Sequence, residues 1–388
     1  MLEEEYDVAI IGGGIHGAGI AQAASADGYN VLLLEATDWA AGTSQKSSKL
    51  IHGGLRYLQN GQIGLVWESI RERERLLANA PDLVRRNRFI IPVYKKSKLK
   101  SWQVRLGLSF YALLAGGGQN RFSTLPESSW HELEGLNKKD LQAVFTYQDA
   151  QTDDQLLTKA VVESAQLLGA ETRCPAKFIS AKQLAHTYKL AFQQGDQKLE
   201  TSCRILVNAA GPWVNEVAGL ITPKPPSIEI DLVQGSHIVI AGLVSNSCLY
   251  LEAPQDQRAV FLLPWYGNTL VGTTETLFEG DPAKVIPLQE EEDYLIQTLN
   301  YYFPELSINI VERFAGLRVL PRSEKAFTKR PRETRIVQSR SGTPLYISVY
   351  GGKLTVYRAT AAKVMKGIRK VIGRRQIRGD TRSLKLHP

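Results

Sequence analysis

Residues 7–35 constrain the fold of this chain most strongly, because they join two apolar, strand-like segments through a glycine-rich turn. The turn reads Gly-Gly-Gly-Ile-His-Gly at 12–17, and Glu35 follows the second strand. In such a β-α-β unit the glycines let a pyrophosphate approach the backbone at a helix N-terminus, and the terminal carboxylate accepts ribose hydroxyls. A purely structural turn is the alternative. The stretch predicts a dinucleotide site with contacts from Gly12, Gly14, Ile15, His16, Gly17 and Glu35.

Length and charge limit the class of protein. The 388 residues suffice for two domains, since single cores stop growing near ~250–300 residues. A net charge of +8 favours an anionic partner, namely a phosphorylated substrate, nucleic acid or an acidic membrane surface. The scattered Cys174, Cys203 and Cys248 predict neither disulfides nor a metal site. The acidic start runs directly into the first strand and leaves no room for a signal peptide, so we expect a cytoplasmic protein.

A polar loop of small residues at 43–49 leads into the segment Leu-Ile-His-Gly-Gly-Leu-Arg-Tyr-Leu at 50–58. Loops of this composition contribute little to a core and often carry function. Hydroxyl groups, a lysine and paired glycines suit the close approach of a flat or anionic ligand, and a connecting loop without function is the alternative. We assign further cofactor contacts to Thr43, Ser44, Ser48, Lys49, Leu50, His52 and Gly54.

Two later segments are strands that end on small residues. The apolar stretch at 203–207 ends in Asn-Ala-Ala-Gly-Pro-Trp at 208–213, and the strand at 345–350 leads to two glycines and a final helix. Both arrangements bring backbone or a helix N-terminus next to a bound dinucleotide. The contacts predicted here are Ala210, Gly211, Trp213, Gly352, Lys353, Leu354 and Thr355.

The order of these segments predicts a cofactor domain that is discontinuous in sequence. From residue 223 the pattern changes to antiparallel strands, with one acidic-start helix from 290 to about 302. We expect an α/β fold with a doubly wound, Rossmann-type cofactor domain at 1–90, 145–222 and 325–388. A mainly antiparallel α+β substrate domain would take 91–144 and 223–324.

Two segments have the composition of surfaces that contact membranes. Four lysines at 95–100 precede an aromatic and aliphatic stretch at 102–114, and the last helix sets lysines and arginines beside an apolar face. Both patterns suit an anionic lipid surface. A core helix after an exposed loop also explains the first segment, and a solvated C-terminal helix also explains the second.

Four motifs together resemble the flavin-dependent glycerol-3-phosphate dehydrogenases of the D-amino-acid oxidase superfamily. They are the glycine turn at 11–21, Ser-Ser-Lys-Leu-Ile-His-Gly-Gly-Leu-Arg-Tyr-Leu at 47–58, Gly-Ser-His-Ile-Val at 235–239 and Gly-Gly-Lys-Leu-Thr-Val-Tyr-Arg at 351–358. The segment 208–214 also looks like a family motif. The resemblance implies FAD and the oxidation of sn-glycerol 3-phosphate to dihydroxyacetone phosphate by hydride transfer to flavin N5. It further implies that the electrons pass to a membrane quinone.

By the same resemblance, Arg56, Tyr57, His237, Arg318 and Lys353 would line the substrate site. Arg318 stands alone in an apolar strand, and a guanidinium binds phosphate bidentately while always charged. We also expect it to contact FAD. His237 would take the hydroxyl proton, and Lys353 would stabilise reduced flavin or the substrate oxygen, so these three residues are assigned to catalysis. The alternatives are an ion pair for Arg318 and a core role for His237.

The chain departs from the family pattern in three places. Ala23 and Asp27 stand where acidic and basic residues are often found later in the helix of the first motif. Family members usually continue with a C-terminal helical domain, whereas this sequence ends at Pro388. The second phosphate-binding arginine of the family does not align cleanly. We assign Arg332 to substrate binding and keep Arg330 as the alternative.

Two other functions are consistent with the sequence. One is an FAD-dependent oxidase or dehydrogenase of another small hydroxy acid or amino acid, in which Arg318 would clamp a carboxylate. The other is a non-catalytic, FAD-bearing subunit associated with a membrane. No nucleic-acid-binding motif is present, so nucleic acid is not expected as a partner. A homodimer, the identity of the electron acceptor and peripheral attachment to the inner face of the cytoplasmic membrane stay open.

Overall fold

A computed structural model describes residues 5–59, 61–324, 330, 333–339 and 342–388. Its strands are β1 Glu5–Ile11, β2 Val31–Leu34, β3 Leu50–Ile51, β4 Val84–Tyr94, β5 Ser123–Leu125, β6 Leu141–Thr152, β7 Glu171–Arg173, β8 Lys177–Gln183, β9 Tyr188–Gln194, β10 Gln197–Asn208, β11 Ile221–Thr222, β12 Ile230–Ile240, β13 Cys248–Glu252, β14 Ala259–Trp265, β15 Asn268–Gly272, β16 Thr276–Phe278, β17 Ile310–Pro321, β18 Arg335–Gln338 and β19 Leu345–Tyr350. Its helices are α1 Ile15–Ala26, α2 Leu55–Gln59, α3 Ile63–Asn79, α4 Ser101–Leu114, α5 Asp154–Leu167, α6 Val214–Gly219, α7 Gln289–Tyr302 and α8 Tyr357–Ile372.

The first sheet is organised around β1, which lies between β2 and β10 in parallel register. β19 extends the parallel set beyond β10, so that Val207 lies between Ile10 and Ile347. Helices α1, α5 and α8 pack together over one face, and apolar side chains of β8 and β9 join those of β2 in a core on the other. Burial on both faces explains the uninterrupted apolar runs of these strands. The predicted doubly wound α/β arrangement is confirmed.

The second sheet is mainly antiparallel. β12 pairs antiparallel with β15, β16 and β17, and β14 and β15 form a hairpin. Helix α7 lies over this sheet, where Leu295 and Leu299 share a core with Ile238 and Leu262. The antiparallel character predicted for the segment after residue 223 is confirmed.

Two of the predicted domain limits fall inside strands. β4 pairs with β6 from Val84 to Tyr94, and both strands belong to the second sheet. The limits at 90 and 145 therefore cut through β4 and β6, because sequence patterns do not reveal which sheet a buried strand joins. The division into domains otherwise stays a prediction.

The two segments with membrane-like composition fold differently. On α4 only Leu108 and Tyr111 are buried, while Trp102, Leu106 and Leu113 are 66%, 64% and 73% exposed. On α8 the apolar face is buried in the core of the first sheet, so that its basic side alone faces outward. Within the described part of the chain, none of the helices combines the length and apolar character needed to cross a bilayer.

Candidate active site

Three glycine-containing turns meet at the carboxyl ends of neighbouring parallel strands. They follow β1, β10 and β19, which lie side by side. Gly12 has a φ of 106° and a side chain there would meet the carbonyl oxygen of Ala209 at 2.6 Å, so only glycine fits. In open α/β sheets, ligands bind beyond the carboxyl ends of the strands, and an anion is favoured at the helix N-terminus found there. The turns therefore form a cradle for a dinucleotide.

Glu35 lies at the end of β2 beside this cradle. Its Oε2 accepts a hydrogen bond from the Gly13 N–H at 2.7 Å, and its Oε1 accepts one from Thr37 N at 2.9 Å. Ser44 joins from the polar loop, where its Oγ accepts from Ile15 N at 2.9 Å. Gly14 immediately precedes α1, and a side chain at Gly17 would lie 1.8 Å from the Gly12 carbonyl oxygen. The residues of the first motif are thus brought together as predicted from their spacing.

His16 supports the fit of a dinucleotide. Its Nδ1 is buried without a hydrogen-bond partner, and burial lowers the pKa of the ring to about 4. A side chain at Gly352 would lie 2.4 Å from His16 Nε2, so the first and third turns are in close contact. An orphaned buried nitrogen between two glycine turns is the arrangement expected where a polar ligand completes the site.

Three of the loop residues predicted to bind the cofactor contact other parts of the protein. Thr43 Oγ1 donates to the Leu317 carbonyl oxygen at 2.7 Å, which ties the loop to β17. Lys49 is buried and its Nζ lies 2.5 Å from Asp154 Oδ1 and 2.6 Å from the Gln45 carbonyl oxygen. The Lys49 ammonium is therefore engaged in an internal ion pair that anchors the loop to α5. Leu50 is buried in β3.

The second and third turns hold the remaining predicted contacts. Gly211 has a φ of 55°, Ala210 N donates to Asn208 Oδ1 at 3.2 Å, and the ring of Trp213 lies against Gly42. Thr355 Oγ1 accepts from His52 N at 3.2 Å. The loop before α2 and the turn before α8 are thereby joined next to the cradle, with Lys353 and Leu354 in the same turn.

A cavity of about 160 Å³ lies beside the cradle, between α2 and the second sheet. Among the residues that the structure describes, it is lined by three arginines, Arg56, Arg258 and Arg318, and one carboxylate, Glu275. His52, Ser48, Gly54 and Tyr57 line the same cavity. Three guanidinium groups against one carboxylate make the cavity cationic, which suits a small dianion.

Arg318 lies against β12 because Gly235 leaves room for it. A side chain at Gly235 would come within 2.5 Å of the guanidinium. Arg318 Nη2 donates to Thr273 Oγ1 at 3.0 Å, and its Nη1 donates to the Thr274 carbonyl oxygen at 3.2 Å. The guanidinium is thus held in place by the strand end that also lines the cavity.

Arg258 was missed by sequence reasoning. It lies in the turn before β14, where its Nη1 is 3.4 Å from Glu275 Oε2 and its Nε is 2.9 Å from Asp256 Oδ2. No motif surrounds it, since its neighbours Gln255, Asp256 and Gln257 are polar residues and only Asp256 is of a type that dominates turns. Only the pairing of β13 with β14 brings it to the cavity.

The two histidines near the cavity differ in position. His52 lines the cavity, and burial together with Lys353, Arg56 and Arg73 lowers its pKa to about 3. His237 is 2% exposed, its Nε2 lies 3.0 Å from Ser48 Oγ, and its ring stacks on Phe314. Both rings are therefore uncharged at neutral pH, but His52 is the one that faces the cavity.

Acid should destabilise the protein through His237. Burial, with Arg318 and Lys49, lowers the pKa of His237 to about 3, whereas the unfolded chain binds the proton near pH 6.5. Stability is therefore lost as the pH falls from 6.5 towards 3, by about 2 kcal/mol at pH 5 for this residue. When urea unfolding is measured at pH 7 and pH 5, His237→Asn should lack this acid-dependent loss of stability. His186→Asn, at an exposed position, should leave it unchanged, and equal pH dependence in all three proteins would contradict the assignment.

Of the remaining predicted substrate ligands, the structure describes all but one. Lys353 Nζ lies 3.7 Å from the centre of the Tyr57 ring and 3.4 Å from Ser69 Oγ, so these predicted residues are neighbours. Arg330 is buried away from the cavity and its Nη1 pairs with Asp231 Oδ2 at 2.5 Å. Arg332 lies outside the described residues.

Fold and site together define a flavin-dependent oxidoreductase with a cationic cavity beside its cofactor cradle. The chain belongs to the FAD dependent oxidoreductase family, whose model matches residues 7–358. FAD is accordingly its cofactor, as the sequence predicted, and the glycine cradle with its orphaned histidine nitrogen fits that group.

Known relatives share nearly the whole chain. A glycerol-3-phosphate dehydrogenase of Pseudomonas aeruginosa is 37% identical over 374 residues, which are 94% of this chain and 72% of the relative. An aerobic glycerol-3-phosphate dehydrogenase of Staphylococcus haemolyticus is 35% identical over 94% of this chain and 67% of its own length. The predicted resemblance to this family is confirmed.

Solved structures agree with the fold. The glycerol-3-phosphate dehydrogenase of Bacillus halodurans in complex with FAD has a TM-score of 0.78 and 26% identity, covering 100% of this chain and 68% of that one. The L-alpha-glycerophosphate oxidase of Mycoplasma pneumoniae with FAD bound has the same TM-score at 19% identity, with 99% of both chains covered. The second likeness concerns the fold alone.

Proposed function

We propose that this chain oxidises sn-glycerol 3-phosphate to dihydroxyacetone phosphate and passes the electrons to a quinone. The observation that carries the proposal is the cavity in which Arg56, Arg258 and Arg318 converge beside His52. Relatives that are 33–37% identical are named glycerol-3-phosphate dehydrogenases, which supports the same substrate here.

Substrate recognition rests on the phosphate. A planar guanidinium binds two phosphate oxygens at once and stays charged at all working pH values. Arg318 is already oriented by Thr273 and Thr274, so binding costs it little side-chain entropy. Arg258 lines the same cavity and is a further guanidinium for the phosphate, while the assignment of Arg332 stays a prediction.

The proton of the C2 hydroxyl goes to His52. Oxidation removes a hydride from C2 and a proton from its oxygen, and a C=O bond forms. Bound FAD supplies the acceptor for the hydride. An uncharged imidazole at the cavity wall is placed to accept the proton. His237, assigned to this step from the sequence, instead fixes Ser48 from behind the cavity.

Lys353 supplies positive charge next to the reacting groups. Its ammonium lies over the Tyr57 ring, and a side chain at Gly54 would be 3.5 Å from its Nζ. A cation there stabilises negative charge that develops on the substrate oxygen or on the reduced cofactor.

A substrate comparison with a dye as electron acceptor tests this function. We expect turnover with sn-glycerol 3-phosphate and none with glycerol, because glycerol lacks the dianion that the arginines bind. Faster turnover of an unphosphorylated hydroxy acid or amino acid would indicate the alternative function, in which Arg318 binds the carboxylate of such a substrate. Bound FAD with no turnover of either class would favour a non-catalytic subunit.

The exposed face of α4 is the proposed contact with a membrane, where a quinone is available. Trp102, Leu106 and Leu113 stand out on this helix, next to the exposed lysines of 95–100. An aromatic and aliphatic stripe beside cations suits the surface of an anionic bilayer. We propose a peripheral location on the inner face of the cytoplasmic membrane.

Vesicle pelleting tests the α4 surface. Wild-type protein should sediment with vesicles containing anionic lipid at low salt, and Leu106→Glu should abolish this, because a carboxylate is repelled and cannot enter the interface. Leu167→Glu is the matched control, since Leu167 is 84% exposed on a different helix, α5. Equal sedimentation of all three proteins, or none by the wild type, would contradict the proposal.

A further inference from the structure

Glu291 on α7 is a buried carboxylate with an unusual number of partners. It is 4% exposed and does not line the cavity. Its two oxygens accept five hydrogen bonds, which come from Gln234 Nε2 at 2.6 Å, Ser236 Oγ at 2.5 Å, Thr274 Oγ1 at 2.7 Å, Thr276 Oγ1 at 2.9 Å and Leu288 N at 3.2 Å.

All five donors are uncharged. Burial alone would raise the pKa of Glu291, but the hydrogen bonds from Ser236, Thr274 and its other donors outweigh burial and lower it. The carboxylate is therefore charged inside the protein, stabilised by hydroxyl, amide and backbone groups. A buried charge held in this way fixes the geometry of its donors, because moving any of them leaves charge unsatisfied.

Four of the five donors of Glu291 belong to the two segments that hold Arg318, and the fifth, Leu288 N, directly precedes α7. Gln234 and Ser236 flank Gly235 on β12, against which the guanidinium lies. Thr274 gives its hydroxyl to Glu291 and accepts from Arg318 Nη1 through its carbonyl oxygen. Ser236 N also donates to Thr274 Oγ1 at 2.8 Å, which closes the connection between the segments.

We propose that Glu291 is a positioning residue that sets the affinity of the cavity for the substrate anion. Its hydrogen bonds fix β12 to the segment 273–276. Thr273 of that segment holds the Arg318 guanidinium, and Glu275 of the same segment lines the cavity. Glu291 acts through these groups and does not touch the substrate. The inference rests on the proposed function, since it assigns Arg318 to the phosphate.

Glu291→Gln is the principal test. The amide keeps the shape of the side chain but has one acceptor oxygen in place of two, so part of the five hydrogen bonds must be lost. We expect KM for sn-glycerol 3-phosphate to rise roughly tenfold, as for loss of one charge-assisted contact, with kcat nearly unchanged. The dissociation constant of inorganic phosphate, measured by calorimetry on the holoprotein, should rise by a similar factor.

The adjacent Glu292 provides the matched control. It is also buried, on the same helix, but its carboxylate pairs with Arg313 Nε at 2.8 Å, away from the cavity. Glu292→Gln should lower stability towards urea without changing KM or the phosphate dissociation constant. Unchanged constants in Glu291→Gln, or equal changes in both variants, would overturn the inference.

Two further measurements cover the cases in which Glu291→Gln does not fold or the substrate does not reduce the wild type. If Glu291→Gln does not fold, Glu291→Asp keeps the charge but withdraws it from its donors, and a smaller rise in both constants is expected. Wild-type values in that variant would overturn the inference. If the wild type is not reduced by sn-glycerol 3-phosphate, the proposed function fails, whereas the calorimetric comparison still tests Glu291.

Discussion

Replacing His52 by asparagine should slow reduction of the bound FAD by sn-glycerol 3-phosphate by a factor of about 10²–10⁴, the range expected for loss of a general base. The reason is the position of His52 at the cavity wall, where burial and neighbouring cations keep its ring uncharged. Asparagine retains a polar side chain of similar size but cannot accept the proton. Stopped-flow measurement under anaerobic conditions gives the rate directly.

His237→Asn is the comparison for this variant. His237 lies behind Ser48 and outside the cavity, so its loss should change the rate much less than the loss of His52. A greater loss in His237→Asn than in His52→Asn would contradict the assignment and return the role of base to His237.

Replacing Arg318 by methionine should weaken substrate binding roughly tenfold to a hundredfold, because one charge-assisted contact to phosphate contributes about 1.5–3 kcal/mol. Methionine keeps an unbranched side chain but provides no hydrogen-bond donor. The increase should appear in KM for sn-glycerol 3-phosphate and in the dissociation constant of inorganic phosphate.

Arg313→Met is the matched control for Arg318→Met. Both arginines lie on β17, but Arg313 is half exposed and pairs with Glu292 rather than facing the cavity. Its replacement should leave KM unchanged. A wild-type phosphate affinity in Arg318→Met would show that the anion is bound elsewhere.

The cofactor cradle could be predicted from sequence because its determinants are local. The glycines of 12–17 and the carboxylate of Glu35 lie within one β-α-β unit, and their spacing alone specifies the turn. The second and third turns were also found, since each directly follows an apolar strand. Parallel pairing of β1, β10 and β19 then brings all three together.

The cationic cavity depends on long-range strand pairing, which the sequence does not display. Arg258 comes from a turn without a motif, and it reaches Glu275 only because β13, β14 and β15 lie side by side. The same limit applies to the two histidines. Both stand in family motifs, but only the packing of β12 against the loop at 43–49 places His237 behind Ser48 and leaves His52 at the cavity.

Helix α4 illustrates a third case. Its composition fitted both a core helix and a surface for lipid, because an apolar stretch does not reveal which face is covered. The structure buries Leu108 and Tyr111 and leaves Trp102, Leu106 and Leu113 exposed. The pattern of burial shows that α4 keeps a largely exposed apolar face, and contact of this face with lipid stays a prediction.

We propose that a phosphate-binding cavity delivers sn-glycerol 3-phosphate to FAD, and anaerobic titration of the holoprotein with this substrate is the decisive experiment. We predict that the flavin absorbance band bleaches and saturates, and that inorganic phosphate competes for the same cavity. An unchanged spectrum in protein that dithionite still reduces would contradict the claim.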